Sequence, residues 1–151
     1  MAMGFARTAA CQAADDSYHS SSGDHSNVLD FLAISLGAIV GANARYWMSR
    51  SAARILGPVF PYGTLAINVL GSFILGFFMI WTMERVMVDP RWRLLIAVGF
   101  CGGFTTFSSY AFESMALMEQ GQWLLMGANI VSNNLLSLAA ALAGMALARL
   151  L

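Results

Sequence analysis

The chain has 151 residues, of which 58% are hydrophobic and only 11% charged. A soluble globular chain carries roughly a quarter Asp, Glu, Lys and Arg, and the mean hydropathy of +0.66 departs in the same direction. These values exclude a disordered chain, a disulfide scaffold and a nucleic-acid binder, whose basic excess is missing at a formal net charge of +0. They leave an integral membrane protein whose surroundings are the lipid bilayer.

Residues 1–28 hold Arg7, Asp15, Asp16, Asp24 and the run Ser20-Ser21-Ser22-Gly23, a composition that predicts a disordered N-terminal extension. Met1–Ala14 lacks the continuous apolar run of a secretory signal. His19 and His25 read as solvated side chains, because no further ligands accompany them. Cys11 and Cys101 provide neither a disulfide framework nor a metal-ligand spacing. Residues 29–151 form the membrane domain. A helix needs about 20 apolar residues to cross the hydrocarbon core, so this domain holds four crossings and no soluble domain besides.

Span one is predicted from about Leu29 to Met48, followed by Arg50, Arg54 and the breakers Gly57, Pro58 and Pro61. Span two covers about Tyr62 to Met83, and Glu84-Arg85 to Arg93 forms a polar central loop containing Asp89-Pro90. Span three runs from about Leu94 to Met118, and span four from about Gln122 to Leu150, with Gly121 between them. Trp47, Trp81, Trp92 and Trp123 fall near span ends, where indole rings favour the interface. Every basic residue is arginine. Arg45, Arg50 and Arg54 flank one side of the membrane and Arg85, Arg91, Arg93 and Arg149 the other. Three against four does not choose an orientation. On charge alone, a fixed topology and insertion in both orientations are equally compatible with the sequence.

Polar residues interrupt the spans in a pattern. Thr64, Asn68 and Ser72 share one helix face by their spacing of four, as do Asn129, Asn133 and Ser137, with Ser132 and Asn134 beside them. An unpartnered buried amide costs roughly 2–7 kcal/mol, so these groups face protein or water. Interhelical glue is one reading and a polar track lining a pathway the favoured one, because glue rarely needs so dense a cluster. In span three, Gly102-Gly103 followed by Thr105-Thr106 is poor helix and invites a break, whose freed carbonyls suit a cation; the alternative is a straight helix in which the glycines permit close packing. Gly37-x-x-x-Gly41 fits such packing in span one. By spacing alone, Phe107 and Tyr110 read as an aromatic core stripe, with Glu113 one turn beyond.

Three blocks carry a more specific signal. They are Gly37-Ala38-Ile39-Val40-Gly41-Ala42 with Arg45-Tyr46, Gly63-Thr64-Leu65-Ala66-Ile67-Asn68 with Gly71-Ser72-Phe73, and Gly99-Phe100-Cys101-Gly102-Gly103-Phe104-Thr105-Thr106-Phe107-Ser108. With the four-span layout, the chain resembles the small four-helix fluoride channels called Fluc or CrcB over about residues 29–150. The resemblance implies an all-α membrane protein, a third helix broken near mid-membrane, and an antiparallel dual-topology homodimer with two fluoride pores. It implies passive fluoride export and one structural Na+ on the two-fold axis. Carried onto this chain, backbone carbonyls of Gly102 and Thr105 hold the sodium, Asn68 projects toward the fluoride path, and Arg45 sits near the aqueous entrance. Phe107 and Tyr110 occupy the aromatic pair, and Glu113, Asn133 and Ser137 match the polar track, with Asn129 a weaker match. The family's usual Phe is here Tyr110, within Ser108-Ser109-Tyr110, which leaves open whether the ring edge or the hydroxyl meets the anion.

The residue types suit that role. Fluoride is small and strongly hydrated, so the path must replace its water with modest donors in series, such as the Asn68 amide and the Thr64 and Ser137 hydroxyls, together with the electropositive edges of aromatic rings. A buried arginine would hold the ion too tightly to release it. The rival readings are a proton-coupled small multidrug exporter, which lacks its first-span carboxylate because Asp30 lies at the span's edge, and a proton-coupled fluoride exporter working through Glu113. No nucleophile, base and orienting acid converge, so an enzyme is not expected.

Overall fold

The computed structural model describes the backbone of residues 3–85 and 88–151 and the side chains of residues 25–84 and 88–151. The side chains of Cys11, His19 and Arg85 therefore lie outside the described part of the structure. Among the described residues every regular element is helical. α1 is Met3–Leu56, α2 is Tyr62–Ile80 with a π-helical continuation over Trp81–Arg85, and α3 is Pro90–Arg93. A π-helical stretch, Leu94–Cys101, leads into α4, Gly102–Phe104; α5 is Phe107–Glu119 and α6 is Trp123–Leu150.

Four segments are long and apolar enough to cross a membrane: His25–Leu56, Tyr62–Glu84, Pro90–Glu119 and Trp123–Leu150. The span count agrees with the sequence, but the first is longer at both ends, so Arg50 and Arg54 stand on α1 rather than in a loop. The chain divides after Leu32 into Met1–Leu32 and Ala33–Leu151. The backbone of α1 is helical through most of the segment where composition predicts disorder, and within the first unit Val28, Leu29, Phe31 and Leu32 are exposed.

Local chemistry sets the connections. Gly57 (φ 85°) and Gly121 (φ 74°) take the left-handed conformation that ends α1 and turns α5 into α6. Asp89 caps α3 by accepting from the Arg91 amide at 2.8 Å, with Pro90 at the first helical position, where its missing N–H costs nothing. Arg93, expected as a loop charge, reaches back to donate from Nη2 to the Thr82 carbonyl at 2.7 Å, where α2 passes into its π-helical turn.

Two seams hold the second unit together. α2 and α6 run parallel: Asn68 meets Asn133 at an offset of 65 residues, Gly76 lies against the Ala141 backbone, and Glu84 pairs with Arg149 at 3.5 Å. The repeated offset keeps the two helices in register along their length. The other seam joins α1 to the third span. Gly37 and Gly41 lie against the backbone of Leu95, Gly99, Phe100 and Phe104, while Gly99 and Gly103 lie against that of Ile34 and Ala38. A Cβ at any of the four would overlap main-chain atoms, so the absent side chains permit backbone-to-backbone packing. The buried apolar set is small (Ile67, Cys101, Phe104, Leu117 and Ala148), and large apolar side chains such as Ile39, Leu70, Phe112 and Leu135 are exposed. A bilayer removes the penalty that water would impose on them.

Candidate functional site

The backbone of the third span turns extended at Thr105 and Thr106, the second half of the Gly102-to-Thr106 segment that composition marks as poor helix. Gly102 is helical (φ −63°, ψ −37°), whereas Thr105 (φ −75°, ψ 157°) and Thr106 (φ −152°, ψ 113°) are extended. Gly103 packs its helical backbone against Ala38 of α1, whereas the space beside Gly102 is open. The threonines are held by hydrogen bonds. Asn68, from α2, accepts the Thr106 N–H on Oδ1 at 2.9 Å and donates from Nδ2 to the Thr106 carbonyl at 3.1 Å. Its carboxamide thus pairs with both polar groups of one residue, much as a neighbouring strand would. Thr106 then caps α5, its Oγ1 accepting the Ser109 N–H at 3.1 Å.

These bonds have a further effect. In an unbroken helix the Gly102 carbonyl would accept from the Thr106 amide and the Thr105 carbonyl from the Ser109 amide. Both amides are engaged elsewhere. The Cys101 carbonyl, by contrast, accepts from both the amide and the hydroxyl of Thr105, each at 2.9 Å. The carbonyls of Gly102 and Thr105, the pair named from the sequence for a cation, have therefore lost their usual helical partners.

From Thr106 a hydrogen-bond chain runs through the protein. The Thr106 N–H donates to Asn68, Asn68 Nδ2 to Asn133 Oδ1 at 3.0 Å, and Asn133 Nδ2 to Asn129 Oδ1 at 2.8 Å. Asn129 Nδ2 donates to Ser114 Oγ at 3.0 Å, and Ser114 to the Tyr110 carbonyl at 2.8 Å. Backbone groups fix the direction: the Thr106 N–H can only donate, and the Asn129 carbonyl, 3.2 Å from Asn133 Nδ2, can only accept. Asn129 is fully buried and Asn133 nearly so. Interhelical hydrogen bonding, the less favoured of the two readings of these residues, is therefore present among them.

The remaining sequence-derived residues fall around two cavities. One, of about 320 Å³, is lined by Asn68, Ser72, Thr105, Thr106, Phe107, Tyr110, Asn133, Asn134 and Ser137 among others. Ser137 Oγ is buried there without a hydrogen-bond partner. The other, of about 500 Å³, is lined by residues including Thr64, Phe112, Glu113, Gln120 and Gln122. Thr64 donates to Glu113 Oε1 at 2.8 Å, while Glu113 Oε2 is buried and unpaired. Phe107 and Tyr110 meet edge to face with centroids 5.4 Å apart. The core reading of that stripe needs correction, because Phe107 is 78% exposed in the protomer. Arg45 is half-buried on α1 and lines neither cavity. Sequence reasoning did not assign Thr106 and Ser114 to the site. A threonine three residues before a serine at a helix start was the available signal for Thr106; Ser114 had only its place on the face of Phe107 and Tyr110.

Four membrane-capable helices, with a seam of neutral hydrogen-bonding side chains beside two cavities lined in part by polar groups, define a small multi-pass membrane protein. Residues 32–145 match the family model described as CrcB-like protein, Camphor Resistance (CrcB), and the chain belongs to this family. It is similar to the fluoride-specific ion channel FluC of Koribacter versatilis, with 58% identity over 122 residues, 81% of this chain and 97% of the relative. It is likewise similar to the fluoride-specific ion channels FluC of a Sulfurihydrogenibium species, 46% identical over 80% of this chain and 98% of the relative, and of a Roseiflexus species, 43% identical over 82% and 99%.

Proposed function

We infer that this protein is a fluoride-selective channel of the bacterial plasma membrane that exports fluoride passively and so lowers its cytoplasmic concentration. The observation that carries the reading is the 320 Å³ cavity, whose lining combines amide and hydroxyl donors with two aromatic rings and includes no arginine. Removing water from a small anion costs tens of kcal/mol in a low-dielectric medium, and such a lining supplies replacement donors without a charge that would trap the ion.

Asn68 is suited to the exchange. Both of its N–H groups are engaged, one by the Thr106 carbonyl and one by Asn133 Oδ1. An arriving anion takes the second in place of Asn133, so a charge-assisted hydrogen bond forms while the buried Asn133 Oδ1 gives up its donor, two changes of similar size and opposite sign. Ser137 offers an unspent hydroxyl in the same cavity. The edges of Phe107 and Tyr110 present positive potential to the ion. Thr64 and Glu113 form the second polar station, and Arg45 attracts the anion at the aqueous entrance.

The functional unit in this reading is an antiparallel, dual-topology homodimer. The three-to-four division of flanking arginines is compatible with insertion both ways, and the exposed Phe107 supports a second copy covering the aromatic pair. A cysteine appended after Leu151, in a background lacking Cys11 and Cys101, is then labelled from both faces of the membrane; labelling from one face alone rejects dual topology. The Gly102 and Thr105 carbonyls, displaced from the helical ladder, fit a structural Na+ as hard oxygen ligands. When bound, that ion supplies a positive charge offsetting the partial negative charge of the carbonyls. Replacing sodium by a bulky organic cation lowers flux in this reading, and indifference to the exchange removes the ion from it.

The deciding experiment is ion efflux from liposomes reconstituted with the purified protein. Fluoride escapes, chloride is retained, and the rate follows voltage without proton coupling. Chloride release at a similar rate, or flux that needs a proton gradient, overturns the proposal.

A further inference from the structure

We propose that Asn134 is a positioning residue that aims the Tyr110 phenol proton into the 320 Å³ cavity, making this aromatic position a hydroxyl donor to a small anion. The inference rests on the fluoride-channel reading and refines it at a place where this chain departs from the family's usual residue.

The geometry begins with an amide whose orientation is fixed. Asn134 Nδ2 lies 2.7 Å from the Ile130 carbonyl. A carbonyl only accepts, so the atom facing it is the nitrogen and not the oxygen. The second hydrogen of that nitrogen is directed to Tyr110 Oη, 3.0 Å away. The phenol oxygen is thus an acceptor in this contact, and its own proton must be donated in another direction. Tyr110 and Asn134 both line the cavity that also holds Asn68, Asn133 and Ser137. The carboxamide oxygens of Asn68 and Asn133 already accept hydrogen bonds, and Ser137 Oγ has no partner. The phenol therefore projects its proton toward a space in which a small anion meets unspent hydroxyl donors, among them those of Tyr110 and Ser137. With phenylalanine the position has only a ring edge to offer, and Asn134 has nothing there to orient.

The test uses the full-length protein in liposomes, with sodium fluoride as the permeant salt. Flux is measured against fluoride concentration for the wild type, Tyr110→Phe, Asn134→Leu and the double variant. A hydrogen bond to a charged group contributes enough that losing it changes affinity by about 10-fold. Each single substitution is therefore expected to raise the half-saturating fluoride concentration about 10-fold, with less effect on maximal flux. The double variant should match Tyr110→Phe alone, because Asn134 acts through the hydroxyl. Two results overturn the proposal: Tyr110→Phe leaving the concentration dependence unchanged, or Asn134→Leu adding its full effect in the Tyr110→Phe background, as a merely structural residue would. Asn134→Ala repeats the comparison if the leucine variant does not fold. A wild type that passes no fluoride rejects the channel reading itself, whereas a conducting wild type with an indifferent Tyr110→Phe rejects only this inference.

Discussion

The α1 seam and the α6 seam solve the same problem by opposite means. Where α1 meets the third span, Gly37, Gly41, Gly99 and Gly103 bring backbone onto backbone, and the contact depends on shape alone. Where α2 meets α6, Asn68 and Asn133 join the helices through a directed hydrogen bond, continued along α6 to Asn129 and flanked by a glycine contact at Gly76 and Ala141. The first seam has no room to vary, and the second has polar groups able to exchange partners. A membrane protein that must hold its shape while offering donors to a passing ion needs both.

Substitutions separate the two kinds of seam. The largest effect is expected from Gly41→Val, whose side chain would enter the Phe100 backbone; overpacking costs about 1–3 kcal/mol and occasionally more, main chain here having little freedom to give way, and size-exclusion chromatography should show no folded, monodisperse species. A monodisperse Gly41→Val protein would mean that the seam yields. In the polar seam, Asn68→Asp keeps an acceptor for the Thr106 N–H but loses both donors, and it is expected to abolish fluoride efflux from liposomes, because a fixed negative charge repels the ion; normal efflux would remove Asn68 from the path. Phe107→Ile should reduce flux several-fold while the elution volume stays unchanged, and undiminished flux would return the ring to a packing role. Asn129→Leu leaves Ser114 and Asn133 each short of a partner, at a cost of about 1–3 kcal/mol, read as a lower thermal unfolding midpoint in detergent. Least of all, Gly127→Ala has open space for its Cβ and should change stability by no more than about 1 kcal/mol.

The sequence made the four spans legible because hydropathy over 20 residues is a strong signal, and the spacing of Asn129 and Asn133 foretold a shared face. Partnership was harder to read. The pair Gly102-Gly103 looks like a break by propensity, yet propensity is decided here by tertiary contact: Gly103 packs on α1, and the extended residues are those that Asn68 binds. That bond joins positions 38 residues apart, beyond the reach of any local pattern. The π-helical stretch Leu94–Cys101 has no counterpart in the periodicity either. Phe107 looks like core because its spacing is helical, and the spacing says nothing of which surface meets another molecule.

The bracket that Asn68 places on Thr106 has a consequence for biogenesis. Helices enter a membrane first and associate afterwards, each completing its own backbone hydrogen bonds before finding neighbours. On its own the third span would close its ladder through Thr106, since no solvent is there to take the amide. Its final contour is therefore acquired only when the second span arrives and offers a carboxamide in exchange. The extended backbone at Thr106 is held from outside its own span, by a carboxamide one helix away.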